Sequence, residues 1–344
     1  MQAVICGYYG KENGGDEALL VSLLQMLPPQ ITPLVLSNNP TLTQKSYGVK
    51  SYPSRSGLAI LKALDESEVF IWGGGSLMQD VSSWISPLYY AGLMALAQQK
   101  GLKTIAWAQG IGPLKRPLTR WLTQQVLLGC TGISVRDYAS AKLVSAWHLN
   151  PIVAPDPVWA LAGTPVLGIA DLPYPRVAVN LRSHKHFPSS SQERITQALI
   201  DFQKATQASL LLVPFQPSQD LEIARQIGAQ LPGVYKIISL QDPRQLKGVF
   251  QGVEMVIGMR LHSLIMGASS GCRCFALSYD PKVTRLMEEI GIPGWEIENL
   301  PDSSPAIARA WIDCLANGEA LSRDQIQSLV DRAFMHQELL RDLY

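Results

Sequence analysis

With 344 residues, 47% of them apolar and 17% charged, the chain exceeds the size at which a single hydrophobic core is usual, so two folded domains are expected and no disordered tract is. Lysine and arginine total 29 against 28 aspartates and glutamates, which leaves no bulk field to recruit nucleic acid. No stretch approaches the ~18 uninterrupted apolar residues of a membrane span, and MQAVICGYYG enters a strand with neither a basic segment nor a cleavage site. The expectation is therefore a cytoplasmic protein, free or peripheral at the inner face of the membrane.

Residues 3–8 read as a strand and residues 16–27 as a helix with leucines at helical spacing. Between them, GYYGKENGGDE supplies glycines for a tight turn. Asp16 and Glu17 sit where a bound phosphate would want N–H groups, so sugar hydroxyls suit this loop better, and a plain helix cap suits Asp16 equally. Residues 32–36 form a second strand. After a polar stretch, residues 69–72 form another, ending in GGGSLMQD, where consecutive glycines let backbone pass close to a ligand or to another loop. Residues 104–108 are a buried strand that delivers Gln109, and residues 129–135 one that delivers Arg136 and Asp137. The Pro- and Gly-rich run 161–175 lacks a period and is the candidate linker.

A second strand–helix series begins with RVAVNLR at Arg176 and leads to EMVIGMRLHSLIMGASS, which compresses a strand, a break at Gly258 and a helix start. Arg260 and His262 thus occupy a strand-to-helix corner, the place where open α/β sheets meet anionic ligands. A strand at residues 273–277, the loop SYDPKV and two closing helices around 306–315 and 323–343 follow. Alternation through both halves gives an α/β fold of two Rossmann-like domains facing across a cleft. The expected division is 1–165 on the acceptor side, 172–300 on the donor side, and C-terminal helices 301–344 packing across both. Five cysteines, odd in number and partly in apolar runs, read as reduced thiols. Cys272 and Cys274 lack companion ligands, so no metal is expected.

Taken in order, GYYGKENGGDEALL, GGGSLMQD, AQGIGPL, SVRD, APDPVW, GMRLHSLI and SYDPKV resemble the polysaccharide pyruvyl transferase family, of the type that pyruvylates a cell-surface saccharide. The resemblance implies a glycosyltransferase-B-like arrangement, phosphoenolpyruvate as co-substrate and a pyruvate ketal on a sugar as product, with no further cofactor. It places donor contacts on Arg136, Arg260, His262 and Lys282. Independently, a molecule carrying both phosphate and carboxylate matches three cations and a histidine. His262 is the expected general acid and Asp16 the expected base or hydroxyl orienter, with acceptor contacts at Asn13, Gly74, Gly75 and Gln109. The rival reading on the same scaffold is a nucleotide-sugar-dependent glycosyltransferase or epimerase. If the glycan acceptor is lipid-linked, Trp84, Leu88, Tyr89 and Tyr90, or the last helix with Arg332, Arg341 and the apolar Leu329, Phe334 and Leu340, would touch the membrane; core packing is the more ordinary role for both.

Overall fold

The computed structural model describes residues 1–81 and 83–343. They divide into two compact units. The first comprises Met1–Lys11, Asp16–Leu161 and Ser328–Tyr344; the second comprises Glu12–Gly15 and Ala162–Gln327.

The first unit is built on seven strands, β1 (Gln2–Cys6), β2 (Thr32–Ser37), β3 (Lys50–Pro53), β4 (Val69–Gly75), β5 (Lys103–Gln109), β6 (Gly132–Val135) and β7 (Ile152–Val153), in the order β3-β2-β1-β4-β5-β6-β7. Every pairing is parallel, as in Ala3 with Val69 and Phe70 with Thr104. Helices α1 (Gly14–Met26), α2 (Pro40–Tyr47), α3 (Gly57–Asp65), α4 (Ile85–Gln99), α5 (Pro117–Leu128) and α6 (Tyr138–Ser145) connect them. A parallel sheet is covered on both faces, so its central strands are continuous apolar runs; all seven residues of β4, VFIWGGG, are buried.

The second unit repeats the plan with six strands, β8 (Arg176–Asn180), β9 (Ser209–Leu212), β10 (Tyr235–Ile237), β11 (Met255–Gly258), β12 (Arg273–Ser278) and β13 (Gly294–Glu296), ordered β10-β9-β8-β11-β12-β13 and all parallel. Its helices are α7 (Ser189–Thr206), α8 (Pro217–Gly228), α9 (Pro243–Phe250), α10 (Leu261–Ala268), α11 (Pro281–Ile290) and α12 (Ser304–Asn317). In each sheet the order reverses beside the first strand, between β1 and β4 and between β8 and β11, and such switch points are where ligands bind at the carboxyl ends of strands.

Three segments differ from the sequence reading. The polar stretch before β4 holds α2, β3 and α3; β3 has no buried residue and so lacks an apolar pattern to announce it. The run proposed as a linker is fastened to the second unit from Ala162 onward, with Thr164 donating to the Arg244 carbonyl at 2.9 Å and Ile169 buried. The closing helices separate: α12 packs on α7 of the second unit, while α13 (Arg323–Ala333) leads to a 3-10 turn at Phe334–Gln337 and α14 (Glu338–Arg341) in the first.

That 3-10 turn exists because His336 is pulled into the first unit. Its ring nitrogens lie 2.9 Å from Ser134 Oγ and 2.9 Å from the Pro155 carbonyl, and its own carbonyl accepts from Trp107 Nε1 at 3.0 Å. Gln337 donates to the Met26 carbonyl beside it. Burial holds the His336 imidazole neutral and drags its pKa down from 6.5 to about 4, against the pull of the Pro155 carbonyl and Asp156. Between those two values the unfolded chain binds a proton that the folded chain refuses, so stability falls as pH drops through that window. Lowering pH from about 7.5 to about 5 should cost ~2 kcal/mol through this group. Urea titrations at both values on the native chain and on His336→Gln test it: the variant should show a shallower pH dependence, and identical slopes would remove His336 as the cause.

Candidate functional site

In the first unit, the carboxyl ends of β4, β5 and β6 meet. Gly74 and Gly75 take φ of 88° and 91°, values a side chain resists, and Asp16 in the first turn of α1 sits over them: a Cβ on Gly75 would lie 3.5 Å from its Oδ1. Gly110 donates to the Gly75 carbonyl at 2.7 Å and leaves room for the Arg136 guanidinium, whose Nε would be 3.2 Å from a Cβ there. Arg136 points at Asp156 (2.5 Å), donates to Ser76 Oγ at 3.1 Å, and is as deeply buried as its partner carboxylate. Asp156 also caps the turn at Pro157–Ala160. Gln109 is fully buried; its amide nitrogen donates to the Trp107 and Trp72 carbonyls, and its oxygen has no partner among the described residues. Glu17, beside Asp16, is taken up structurally, accepting from Gly10 N and Tyr47 Oη, and burial raises its pKa.

In the second unit the corner after β11 is fixed by Asn180 at the end of β8. The Asn180 carbonyl accepts from Met259 N at 2.9 Å and its Oδ1 accepts from Arg260 N at 3.1 Å. The Arg260 side chain then turns to Asp220 in α8 and makes a two-pronged pair, Nε to Oδ2 at 2.8 Å and Nη2 to Oδ1 at 2.7 Å. Asp220 is wholly buried and its Oδ2 also accepts from the backbone N–H groups of Phe215 and Gln216. His262 follows in the first turn of α10, half-buried, with Nδ1 only 2.2 Å from where a Cβ on Gly15 would stand. Gly15 is there because Gly14 N donates to the Phe215 carbonyl at 2.7 Å and Asn13 Oδ1 accepts from Gly15 N at 3.2 Å. Lys282 lies in the first turn of α11, capped by Asp280.

The residues singled out in the sequence therefore fall into two sets. Asp16, Gly74, Gly75, Gln109 and Arg136 lie in the first unit; Asn13, Arg260, His262 and Lys282 lie in the second. Sequence reasoning missed the two aspartates, Asp156 and Asp220, that neutralise the arginines. It also missed Arg182, just beyond the end of β8. Arg182 donates to Tyr279 Oη at 2.9 Å and to Gln219 Oε1 at 2.5 Å, and its guanidinium lies 4.9 Å from the Tyr279 ring centroid. Gln219 Oε1 is also 3.4 Å from Arg260 Nη2, so one amide oxygen joins the two arginines. No carboxylate pairs with Arg182 among the described residues. The His184 ring lies tilted against Tyr279 next to it, and its pKa is lowered, first by desolvation and then by the charges of Arg182, His186 and Lys185, against the pull of Asp280. The signal was present in RVAVNLRSHKH, an arginine at a strand's carboxyl end followed by a basic run. A pocket of about 350 Å³ opens beside Tyr279, with Glu288, Glu296 and Glu298 as well as Arg285 and His186 in its lining.

The family model for polysaccharide pyruvyl transferase matches residues 13–281. No curated protein matches the sequence. Similar solved structures include UDP-GlcNAc 2-epimerase from Methanocaldococcus jannaschii, at TM-score 0.66 and 10% identity over 99% of this chain and 99% of that one. Another is UDP-GlcNAc 2-epimerase from Neisseria meningitidis bound to UDP-GlcNAc, at TM-score 0.65 and 10% identity over 99% of this chain and 100% of that one. MurG from Acinetobacter baumannii aligns at TM-score 0.51 and 12% identity over 100% and 99%. Identities this low concern the fold alone: two parallel-sheet α/β domains of the glycosyltransferase-B class.

The buried pairs set an expected outcome for mutagenesis. Arg260→Ala strands the fully buried Asp220 carboxylate, and Asp220→Asn strands Arg260, so each should cost ~3–5 kcal/mol of stability. The double substitution should cost clearly less than their sum. Lys282→Ala, at a half-exposed position, should stay within about 0.5 kcal/mol of the native chain. Denaturant titration of the four variants decides; additivity of the first two would mean that the pair does not act as a unit.

Proposed function

The chain belongs to the polysaccharide pyruvyl transferase family, and on that footing we propose that it transfers the pyruvyl group of phosphoenolpyruvate to two hydroxyls of one sugar in a cell-surface polysaccharide or its precursor, releasing phosphate. What carries the reading is the family match over residues 13–281, joined to the position of Arg136 and Arg260 just beyond strands β6 and β11 and of Lys282 in the first turn of the helix that follows β12.

Ketal formation requires a proton at the methylene carbon of the enol phosphate, attack at the adjacent carbon by one sugar hydroxyl, and displacement of phosphate by a second. Of the two hydroxyl protons released, one replaces the proton given to the methylene carbon and the other leaves with phosphate. In this scheme His262 delivers the proton. Arg136, Arg260 and Lys282 are the proposed contacts of the phosphate and carboxylate, and Arg182 is added to them as a cation that pairs with no carboxylate among the described residues. Asp156 and Asp220 keep two of these guanidiniums fixed before the donor arrives, so little ordering is left to be done on binding. Asp16 receives a hydroxyl proton or orients the hydroxyl. Gly74 and Gly75 keep the approach to Asp16 free of side chains, Asn13 holds the loop against His262, and Gln109 acts through the strand end it stabilises. No further cofactor enters the scheme.

Phosphate release from phosphoenolpyruvate, assayed against a panel of glycan acceptors free and lipid-linked, tests the reaction. Phosphoenolpyruvate should raise the melting temperature and UDP-sugars should not; the reverse would favour a nucleotide-sugar enzyme on this fold. His262→Asn should retain donor affinity while turnover falls by about 10²–10⁴. Arg182→Gln should weaken donor binding by ~1.5–3 kcal/mol in calorimetry, the worth of a charge-assisted contact. An unchanged dissociation constant would remove Arg182 from the donor site.

A further inference from the structure

The fifty residues from Val81 to Cys130 carry five cations and not one carboxylate. With 28 acids in 344 residues, about four would be expected, so this segment departs from the even charge balance of the whole. Lys100 is matched by Asp65 and Lys103 is taken by the Leu343 carbonyl. Lys115, Arg116 and Arg120 remain; none of them makes a side-chain ion pair among the described residues, although Arg116 Nη1 donates to the Asp80 carbonyl at 3.1 Å and its charge acts on the Asp80 carboxylate.

These three cations flank an apolar ridge. Along α5, Leu118, Trp121 and Leu128 recur at helical spacing on one face, and each is more than half exposed, while Thr119, Thr123, Val126 and Leu127 bury the opposite face. A helix usually turns such a stripe inward. Here the inward side is already complete. Asp80 then brings a second apolar segment up to the helix start. Its carboxylate accepts from Lys115 N and Arg116 N at 2.8 Å each and from Thr119 Oγ1 at 2.6 Å, and those bonds lower its pKa against the cost of burial. Val81 follows directly, and Trp84 and Ile85 at the start of α4 are exposed as well. Of the other residues named in the sequence as membrane contacts, Tyr90, Leu329 and Leu340 are buried in the first unit, Leu88 and Tyr89 are half-buried, and Phe334 is exposed.

We propose that this face of the first unit, the α5 ridge with Val81, Trp84 and Ile85, docks on an anionic lipid bilayer surface. Tryptophan and leucine enter the headgroup boundary while Lys115, Arg116 and Arg120 meet lipid phosphates. Charge is what selects the occupant: the carboxylate at this edge, Asp80, is buried and taken up by Lys115 N, Arg116 N and Thr119 Oγ1, so Lys115, Arg116 and Arg120 give the rim a net positive charge that suits a negatively charged headgroup layer. The inference stands apart from the donor chemistry, since none of these residues belongs to the candidate site.

Co-sedimentation of the full chain with phosphatidylcholine vesicles containing about 30% phosphatidylglycerol tests the proposal against vesicles of phosphatidylcholine alone. Binding is expected to the anionic vesicles only, and to fall with added salt. Arg116→Gln with Arg120→Gln should weaken it by about 25-fold, near fivefold per charge. Leu118→Ser with Trp121→Ser should abolish sedimentation at an unchanged melting temperature. Removing the same charge from helices of the second unit, Lys204→Gln with Arg225→Gln, should leave binding within about twofold. Failure of the native chain to bind anionic vesicles overturns the proposal, as does equal weakening by the second-unit pair. A native dimer that the Leu118/Trp121 variant dissociates would assign the ridge to a second copy of the chain instead.

Discussion

The pair between Arg260 and Asp220 holds the second unit's candidate site in place. Two charges removed from water cost several kcal/mol each, and only good geometry with further hydrogen bonds compensates. Both conditions are met: the contact is two-pronged, and two backbone N–H groups complete Asp220. The same four partners tie α8, the loop after β9 and the corner after β11 into one piece, so the start of α10, and with it His262, is held by an electrostatic contact and not by packing alone. The first unit repeats the device with Arg136 and Asp156, where the aspartate caps the next turn. In both units an arginine at the sheet's carboxyl edge is neutralised and immobilised by an aspartate from a neighbouring element, helix α8 in one and the loop before a 3-10 turn in the other.

This arrangement changes what a basic edge means. An arginine already paired offers an incoming anion directed N–H donors but little net charge, since its aspartate cancels most of the field a ligand would feel at a distance. Attraction then rests on cations without a partner. In the second unit Arg182 has no carboxylate partner among the described residues, and Tyr279 and Gln219 fix its plane. On the proposed reading the carboxylate-paired arginines supply geometry and Arg182, without a carboxylate partner among the described residues, supplies charge, a division that residue type alone does not express.

Strand and helix alternation made the architecture legible, because buried parallel strands must be continuous apolar runs and β1, β4, β8 and β11 are. The corner at Arg260 and His262 was equally plain, being marked by an apolar run, a glycine and a helical period. Edge strand β3 was not, since nothing buries it. The aspartates were invisible for a different reason. Asp220 lies forty positions before Arg260 and Asp156 twenty after Arg136, and no local pattern reports a pairing made by tertiary approach. Exposure was the third blind spot: the spacing of Leu118, Trp121 and Leu128 is that of any core-facing stripe, and only the structure says which way it faces.

The first glycine-rich loop shows how a motif's composition and its use diverge. Glycines after a first strand commonly make room for a ligand's phosphate, yet Gly14 and Gly15 make room for protein. Gly14 passes so close to Phe215 that a Cβ would meet the Leu246 side chain at 2.5 Å, and Gly15 occupies the space under the His262 ring. A side chain at Gly15 would therefore displace the imidazole from its position at the head of α10. These two glycines read as a constraint on the histidine, which is why Glu12–Gly15 clusters with the second unit although Lys11 and Asp16 on either side belong to the first. The loop's acidic half, Asp16 over Gly75 and Glu17 within the core, then serves the first unit. A single stretch of eleven residues thus contributes to both candidate sites, by backbone closeness in one and by a carboxylate in the other.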